Sequence, residues 1–216
     1  MTNTVTTTLG EIQGFIGANG IHTFLGIPYG ADTSGARRFR APVPAPSWRG
    51  VRPATGFGPS CPQGKPTLPR QDPASIKGQN GPVNEDCLVL NVWTPGVGDH
   101  ARRPVMVWLH GGGFQAGSAS HGLTDGANLA AHGDVVMVSV NHRLNIYGFL
   151  RLDELCGPDF AGSGVAGMLD IVLALEWIRD NIQAFGGDPG RVTVFGESGG
   201  GRKVSVLMGM PSAKGL

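Results

Sequence analysis

A serine flanked by glycines follows a short apolar run late in the chain. Gly196-Glu197-Ser198-Gly199-Gly200 contains the pattern G-x-S-x-G, and it comes directly after the apolar residues of 191–195. Where a strand ends in this pattern and turns sharply into a helix, the central side chain projects above the edge of the sheet. Glycines flank it because a Cβ would clash in so tight a turn. Ser198 is therefore predicted to be a nucleophile that attacks a carbonyl carbon.

A glycine-rich loop upstream supplies the other half of this chemistry. The apolar run Val105–Leu109 leads directly into His110-Gly111-Gly112-Gly113. Glycines in such a loop let backbone N–H groups point at a ligand, and each such donor stabilises an oxyanion in the transition state by about 3–4 kcal/mol. The N–H groups of Gly112, Gly113 and Gly199 are predicted to form an oxyanion hole.

Four segments together resemble the type-B carboxylesterases, a family that includes cholinesterases and bacterial para-nitrobenzyl esterase-like enzymes. The segments are 25–30, 84–92, the glycine loop after His110, and 185–189 leading to Ser198. The part Glu85-Asp86-Cys87-Leu88 is specific, because it has no role in a generic α/β hydrolase. The resemblance extends from about Thr8 to Leu216. It implies an α/β-hydrolase fold, hydrolysis of carboxylic esters, and neither a cofactor nor a metal ion.

The resemblance also bears on the two neighbours of Ser198. In the family, the glutamate at the position of Glu197 lies near the base of the active-site gorge and supports catalysis by tuning water and electrostatics. A purely structural glutamate, held by buried hydrogen bonds, stays open as the alternative. Many relatives have alanine at the position of Gly199, where glycine is expected to be looser.

Hydrophobic patterns predict the elements that position these residues. Continuous apolar runs predict buried parallel-type strands, and apolar residues at helical spacing predict a helix that ends at a glycine pair. The predicted strands are 87–92, 105–109, 135–140 and 191–195, the predicted helices are 165–185 and 199–208, and antiparallel strands and turns are expected over 5–60. The proline-rich segment 61–86 is predicted to be a long surface loop. The fold class is α/β, a mostly parallel central sheet with helices on both faces and an antiparallel N-terminal edge.

A phosphate-binding loop is the main competing interpretation of 196–203. A Walker motif requires lysine directly after its second glycine and then serine or threonine. Arg202 and Lys203 occupy those places, and Glu197 would repel phosphate. Nucleotide binding is therefore disfavoured.

The chain lacks a histidine in the position that a catalytic triad requires. In α/β hydrolases the triad follows the order serine, acid, histidine, and residues 199–216 contain no Asp, Glu or His. His110 is instead predicted to brace the glycine loop. The chain is thus expected to be the N-terminal part of a single α/β-hydrolase domain. A second polypeptide would cover the edge of strand 191–195, which would otherwise be exposed, and supply the acid and the histidine.

Cysteines and composition bear on the compartment. The resemblance implies a Cys61–Cys87 disulfide and leaves Cys156 unpaired. No signal peptide is visible, which predicts a cytoplasmic location. In the cytoplasm the thiols would stay reduced. We expect the bridge, and a secreted protein would fit it.

With a net charge of +1 and no apolar run of about 18 residues, neither nucleic acid nor a membrane is expected as a partner.

These observations predict a serine carboxylesterase that is active only with the missing part. In cholinesterases an aromatic residue between the paired cysteines holds the quaternary ammonium, and residues 62–86 contain no Phe, Trp or Tyr. Uncharged aryl or small-alkyl esters are therefore the expected substrates. A carbamate or amide hydrolase, a non-catalytic binding module and an inert fragment are the alternatives.

Overall fold

A six-stranded mixed sheet forms the centre of the protein. The computed structural model describes residues 3–17, 19–64, 82–120 and 125–216. The strands are β1 (Thr4–Thr6), β2 (Glu11–Gln13), β3 (Phe15–Ile16), β4 (His22–Pro28), β5 (Val51–Pro53), β6 (Val89–Thr94), β7 (Arg103–Leu109), β8 (Val136–Val140) and β9 (Gly187–Gly196). The central sheet has the order β3-β4-β6-β8-β7-β9.

The strands that carry the predicted site run parallel. β7 pairs in parallel with both β8 and β9, whereas β3, β4, β6 and β8 pair successively antiparallel. Leu109 at the end of β7 is paired with Gly196 at the end of β9. Because parallel strands end at the same edge, the glycine loop after β7 and the segment around Ser198 meet there. The N-terminal edge is antiparallel as predicted, but antiparallel pairing extends further, through β6 to β8, so the sheet is mixed and not mostly parallel.

A small separate sheet packs beside the N-terminal edge. β1 pairs antiparallel with β2, and β2 pairs in parallel with β5. Val5 and Ile12 of this sheet are buried in the same core as Phe24 and Leu90 of the large sheet. The sequence predicted strands in this region but not their division into two sheets.

Helices cover the large sheet. They are α1 (Ala127–Gly133), α2 (Asn145–Phe149), α3 (Asp153–Cys156), α4 (Ala166–Asn181) and α5 (Gly199–Met208), with 3-10 turns at Gly35–Arg37, Pro158–Phe160, Ser163–Val165, Ile182–Phe185 and Pro211–Ala213. The predicted bounds of α5 are confirmed. The helix predicted over 165–185 is an α-helix to Asn181 and a 3-10 turn after it.

The helical stretch Pro158–Phe185 is 28 residues long and apolar enough to cross a membrane by length and composition alone. The sequence analysis predicted a helix over most of this stretch but did not identify it as a possible membrane span. Most of its most apolar window is buried inside the protein, and in α4 the residues Met168, Ile171 and Ile178 pack in the core with the sheet. It is thus placed as a core helix of the fold.

Strand bounds differ from the predicted ones where local turns compete for backbone groups. β6 begins at Val89 and not at Cys87, because local turns use these groups: the Cys87 N–H donates to the Glu85 carbonyl and the Val89 N–H to the Cys87 carbonyl, both at 2.8 Å. β9 begins at Gly187, four residues before the predicted start. The central part of the predicted proline-rich loop, 65–81, lies outside the described residues.

The expected Cys61–Cys87 disulfide is not present, and this prediction is corrected. Both cysteines are buried free thiols, and Cys156 is an exposed free thiol. The neighbouring Cys87 thiol lowers the pKa of Cys61, whereas the Cys61 thiol and burial raise the pKa of Cys87. The Cys61 sulfur also accepts a hydrogen bond from the N–H of Leu144 at 3.2 Å. Two reduced thiols thus fill the place assigned to the bridge.

Candidate active site

Ser198 lies at the junction between β9 and α5 in a strained backbone conformation. Its φ is 53° and its ψ is −115°, a combination that residues other than glycine rarely adopt. The junction is closed by hydrogen bonds from the Gly200 N–H to the Glu197 carbonyl at 2.8 Å and from the Arg202 N–H to the Ser198 carbonyl at 3.2 Å. The serine is solvent-exposed. A strand, a sharp turn and a helix therefore present this side chain at the sheet edge.

The glycines around Ser198 are required by close packing against the end of β7. A Cβ on Gly196 would lie 2.5 Å from the Leu109 carbonyl oxygen, and one on Gly200 would overlap the same atom. The start of α5 therefore sits directly on the strand that leads into the glycine loop.

The glycine loop has the left-handed backbone that glycine permits. Gly112 has a φ of 85° and Gly113 a φ of 68°. The Gly112 carbonyl accepts hydrogen bonds from the N–H groups of Gln115 at 3.3 Å and Ala116 at 3.1 Å, so the loop is a tight turn. Gly113 lies against Gly199, since a Cβ on Gly199 would be 2.5 Å from the Gly113 nitrogen. The three predicted oxyanion donors are thus brought together beside Ser198.

Glu197 points across the junction toward the glycine loop. Its Oε2 would lie 2.5 Å from a Cβ on Gly111. The residue is exposed, and no side chain or backbone N–H among the described residues donates a hydrogen bond to its carboxylate. The structural alternative, a glutamate held by buried hydrogen bonds, finds no such bond among the described residues and stays open. Its supporting role in catalysis stays a prediction.

His110 is buried and faces its own loop. Its Nδ1 lies 2.9 Å from the Gly111 carbonyl oxygen, and its ring stacks on that of His142 with centroids 4.8 Å apart. Burial lowers the pKa of His110 to about 3, and the positive charge of Lys203 acts in the same direction. The imidazole is therefore neutral at physiological pH, and its geometry agrees with the predicted bracing of the loop.

Lys203 belongs to the site, although the sequence analysis did not predict it as a site residue. It is fully buried on α5, and its Nζ donates a hydrogen bond to the His110 carbonyl at 3.0 Å. The side chain points inward, away from any phosphate that 196–203 could hold. A helical pattern could have found it, because the buried residues of α5 are Gly199, Gly200, Lys203 and Leu207, which are spaced as one helix face.

No histidine among the described residues completes a triad with Ser198. Within the part of the chain that the structure describes, no side chain is hydrogen-bonded to the Ser198 hydroxyl. Likewise, no group of three or more His, Cys, Asp or Glu side chains in that part could hold a metal ion. His121 lies outside the described residues.

Comparison with known proteins agrees with this geometry at the level of class and family. The mixed sheet with its parallel β8-β7-β9 part places the chain in the α/β-hydrolase class. Residues 1–216 match the carboxylesterase family, and the chain belongs to that family.

Individual relatives are similar over nearly the whole chain. Para-nitrobenzyl esterase of Bacillus subtilis is 44% identical over 98% of this chain and 41% of its own length. The crystal structure of a Geobacillus stearothermophilus carboxylesterase has a TM-score of 0.89 at 42% identity, covering 99% of this chain and 41% of that one. An esterase from Clostridium hathewayi, described as able to hydrolyse aliphatic aromatic polyesters, has a TM-score of 0.89 at 44% identity over 98% of this chain and 41% of its own. The chain therefore spans about two fifths of the length of these relatives.

Proposed function

We propose that this chain carries the nucleophile and the oxyanion hole of a serine carboxylesterase. The observation that supports this most directly is the strained backbone of Ser198, which presents its hydroxyl beside the Gly112–Gly113 turn. Backbone strain at an exposed serine has to be maintained by the surrounding structure, and such strain clusters at reactive sites. The family membership supports hydrolysis of a carboxylic ester.

The reaction follows from the positions of these groups. Ser198 Oγ attacks the ester carbonyl carbon while a histidine removes its proton, and a tetrahedral intermediate forms. The N–H groups of Gly112, Gly113 and Gly199 donate hydrogen bonds to its oxyanion. Collapse expels the alcohol, which takes the proton from the histidine, and leaves an acyl group on Ser198. Water then attacks the acyl-enzyme by the same sequence and releases the acid.

The histidine and its orienting carboxylate come from outside these 216 residues. β9 has a hydrogen-bonded neighbour on one side among the described strands, β7. Its residues Arg191 and Thr193 are exposed, as at a strand edge that another strand covers. The chain is the N-terminal part of a single α/β-hydrolase domain, and a second polypeptide carrying later strands pairs with β9 and brings the histidine to Ser198. The two together are called the complete enzyme below, and activity requires both.

The substrates are uncharged esters. A cation–π site for a quaternary ammonium needs an aromatic ring, and the segment between Cys61 and Cys87 has none. Aryl and small-alkyl esters fit best, and carbamates or amides are the second class because the same acyl transfer acts on them.

The free thiols of Cys61, Cys87 and Cys156 favour a reducing compartment, and we assign the protein to the cytoplasm.

Labelling with a fluorophosphonate probe tests the nucleophile. In the complete enzyme, the probe is expected to modify Ser198, and Ser198→Ala is expected to abolish both labelling and hydrolysis of p-nitrophenyl acetate. Ser205→Ala is the matched control, because Ser205 is exposed on the same helix and its hydroxyl bonds the Gly201 carbonyl. Labelling at another residue, or none in a folded complete enzyme, would favour a non-catalytic binding module or an inert fragment.

A further inference from the structure

Lys203 holds a buried positive charge directly behind the glycine loop. The residue has no measurable solvent exposure, and its one hydrogen bond among the described residues goes to the His110 carbonyl at 3.0 Å. Its Nζ also lies 5.6 Å from the centre of the Phe114 ring. His110 precedes Gly111 and Phe114 follows Gly113, so the ammonium contacts both ends of the loop. A buried ammonium without a carboxylate is costly to the fold.

The groups around this ammonium do not neutralise it. Within the described residues Lys203 forms no ion pair, and the titratable side chains that face it are His110 and His142. Burial lowers the pKa of His142 well below its ordinary value, with His110 and Lys203 acting in the same direction. Both imidazoles are thus neutral. Arg143 lies just after β8 and Asp170 lies on α4, and the two form an ion pair with each other.

The tautomers of the two histidines follow from their contacts with backbone carbonyls. The Nδ1 atoms of His110 and His142 each lie 2.9 Å from a backbone carbonyl oxygen. Since a carbonyl can only accept, Nδ1 carries the proton in both rings, and Nε2 keeps its lone pair. Both Nε2 atoms are buried and have no hydrogen-bond partner among the described residues. Neither imidazole therefore adds a second positive charge beside Lys203.

We propose that Lys203 is a positioning residue for the oxyanion hole: its ammonium fixes the His110 carbonyl, and with it the turn that carries the Gly112 and Gly113 N–H groups. The inference rests on the proposed function of that site. The uncompensated charge lies behind the loop whose N–H groups are proposed to face the oxyanion, so its effect is larger for the charged transition state than for the neutral ester.

This arrangement predicts an alkaline limit on turnover. Burial lowers the pKa of Lys203 to about 8, well under the ordinary value of about 10.4 for lysine. Above that pH the amine is neutral, and the charge behind the loop is lost. The kcat of the complete enzyme is therefore expected to fall as pH rises through about 8, while KM changes little because the ground-state ester carries no charge.

The test compares Lys203→Met, Lys203→Gln and Lys203→Arg, with Lys214→Met as an exposed control. The kcat and KM of the complete enzyme for p-nitrophenyl acetate are measured from pH 6 to 10. For Lys203→Met we expect kcat at pH 7 to fall roughly tenfold, less than the 10²–10³ seen when a direct donor is removed. KM should be nearly unchanged, and the fall in kcat near pH 8 should disappear. Lys203→Arg is expected to restore most of the activity and to move the alkaline fall to higher pH.

Folding is checked by circular dichroism and thermal melting. Lys203→Gln keeps an N–H donor without the charge and serves if Lys203→Met fails to fold; it should also lose the alkaline fall. A folded Lys203→Met or Lys203→Gln variant with wild-type kcat and an unchanged pH profile would overturn the inference and leave the proposed esterase intact. A folded complete wild-type enzyme with neither ester hydrolysis nor labelling of Ser198 would remove the proposed function, and the role of Lys203 with it.

Discussion

Gly199 and Gly113 approach each other so closely that neither the helix nor the loop has room for a side chain between them. A Cβ on Gly199 would lie 2.5 Å from both the nitrogen and the Cα of Gly113 and would overlap the Gly113 carbonyl oxygen. Real Cβ atoms do not come that close to backbone. Glycine is required here by contact, not merely tolerated as a looser residue.

Gly199→Ala is therefore expected to displace the glycine loop. Overpacking of this kind typically costs about 1–3 kcal/mol of stability, and a shift of the Gly113 N–H should lower kcat by at least tenfold. Urea unfolding and hydrolysis of p-nitrophenyl acetate by the complete enzyme measure the two effects. Gly201→Ala is the control, because a Cβ there meets its nearest atom, the Gly196 carbonyl oxygen, at 3.4 Å. It should be neutral or stabilising by up to about 1 kcal/mol, as alanine is in a helix. A wild-type kcat for Gly199→Ala would show that the loop yields freely.

A substitution at Gly112 tests whether the tight turn of the glycine loop is needed for turnover. Its φ of 85° disfavours any residue with a Cβ, and such an atom would overlap the Ala116 carbonyl oxygen. We expect Gly112→Ala to reduce kcat about 10²-fold or more, the size of effect found for a lost oxyanion donor. Gly56→Ala is the control, since a Cβ at Gly56 meets nothing within 4 Å. Equal turnover by both variants would argue against an oxyanion role for the loop.

The elements that hold the site were predictable from the sequence because their patterns are local. The apolar run before His110 forms β7, and the glycine pattern around Ser198 marks the turn into α5, whose bounds agree with the prediction. The comparison with solved structures supports the fold that the resemblance implied.

Features that depend on contacts distant in sequence were missed. Lys203 was read as a failed phosphate ligand, because the sequence alone does not show that the His110 carbonyl, 93 residues away, receives its Nζ. The Cys61–Cys87 bridge was expected from the family, whereas the thiols are reduced. β9 begins early because Gly187 pairs with Arg103 across a register shift, which no periodicity reveals.

The buried ion pair between Arg143 and Asp170 is predicted to support the end of β8. Asp170 is fully buried on α4 and accepts hydrogen bonds from the Arg143 backbone N–H at 2.9 Å and from its Nη2 at 2.6 Å. Removing one partner leaves the other charge buried and unpaired, which typically costs about 3–5 kcal/mol. Asp170→Asn should lower the free energy of unfolding by that amount. Asp180→Asn, which breaks the exposed pair with Arg179, should cost less than about 1 kcal/mol. Similar urea midpoints for the two variants would contradict this account.

The stacked histidines make stability sensitive to acid. In the folded protein the pKa of His110 is lowered to about 3 and that of His142 well below its ordinary value, whereas in the unfolded chain both are near 6.5. Between those values the unfolded state binds more protons, so stability is lost as pH falls below about 6.5, at up to about 1.4 kcal/mol per pH unit for each histidine. His142→Phe removes one of the two groups and is expected to make the decline in the free energy of unfolding between pH 6.5 and 4.5 less steep. Urea unfolding at a series of pH values measures it. His132→Gln, at an exposed position on α1, should keep the wild-type slope. The same slope in His142→Phe and the wild type would mean that His142 is protonated in the folded protein, and its unpaired Nε2 would then need a partner.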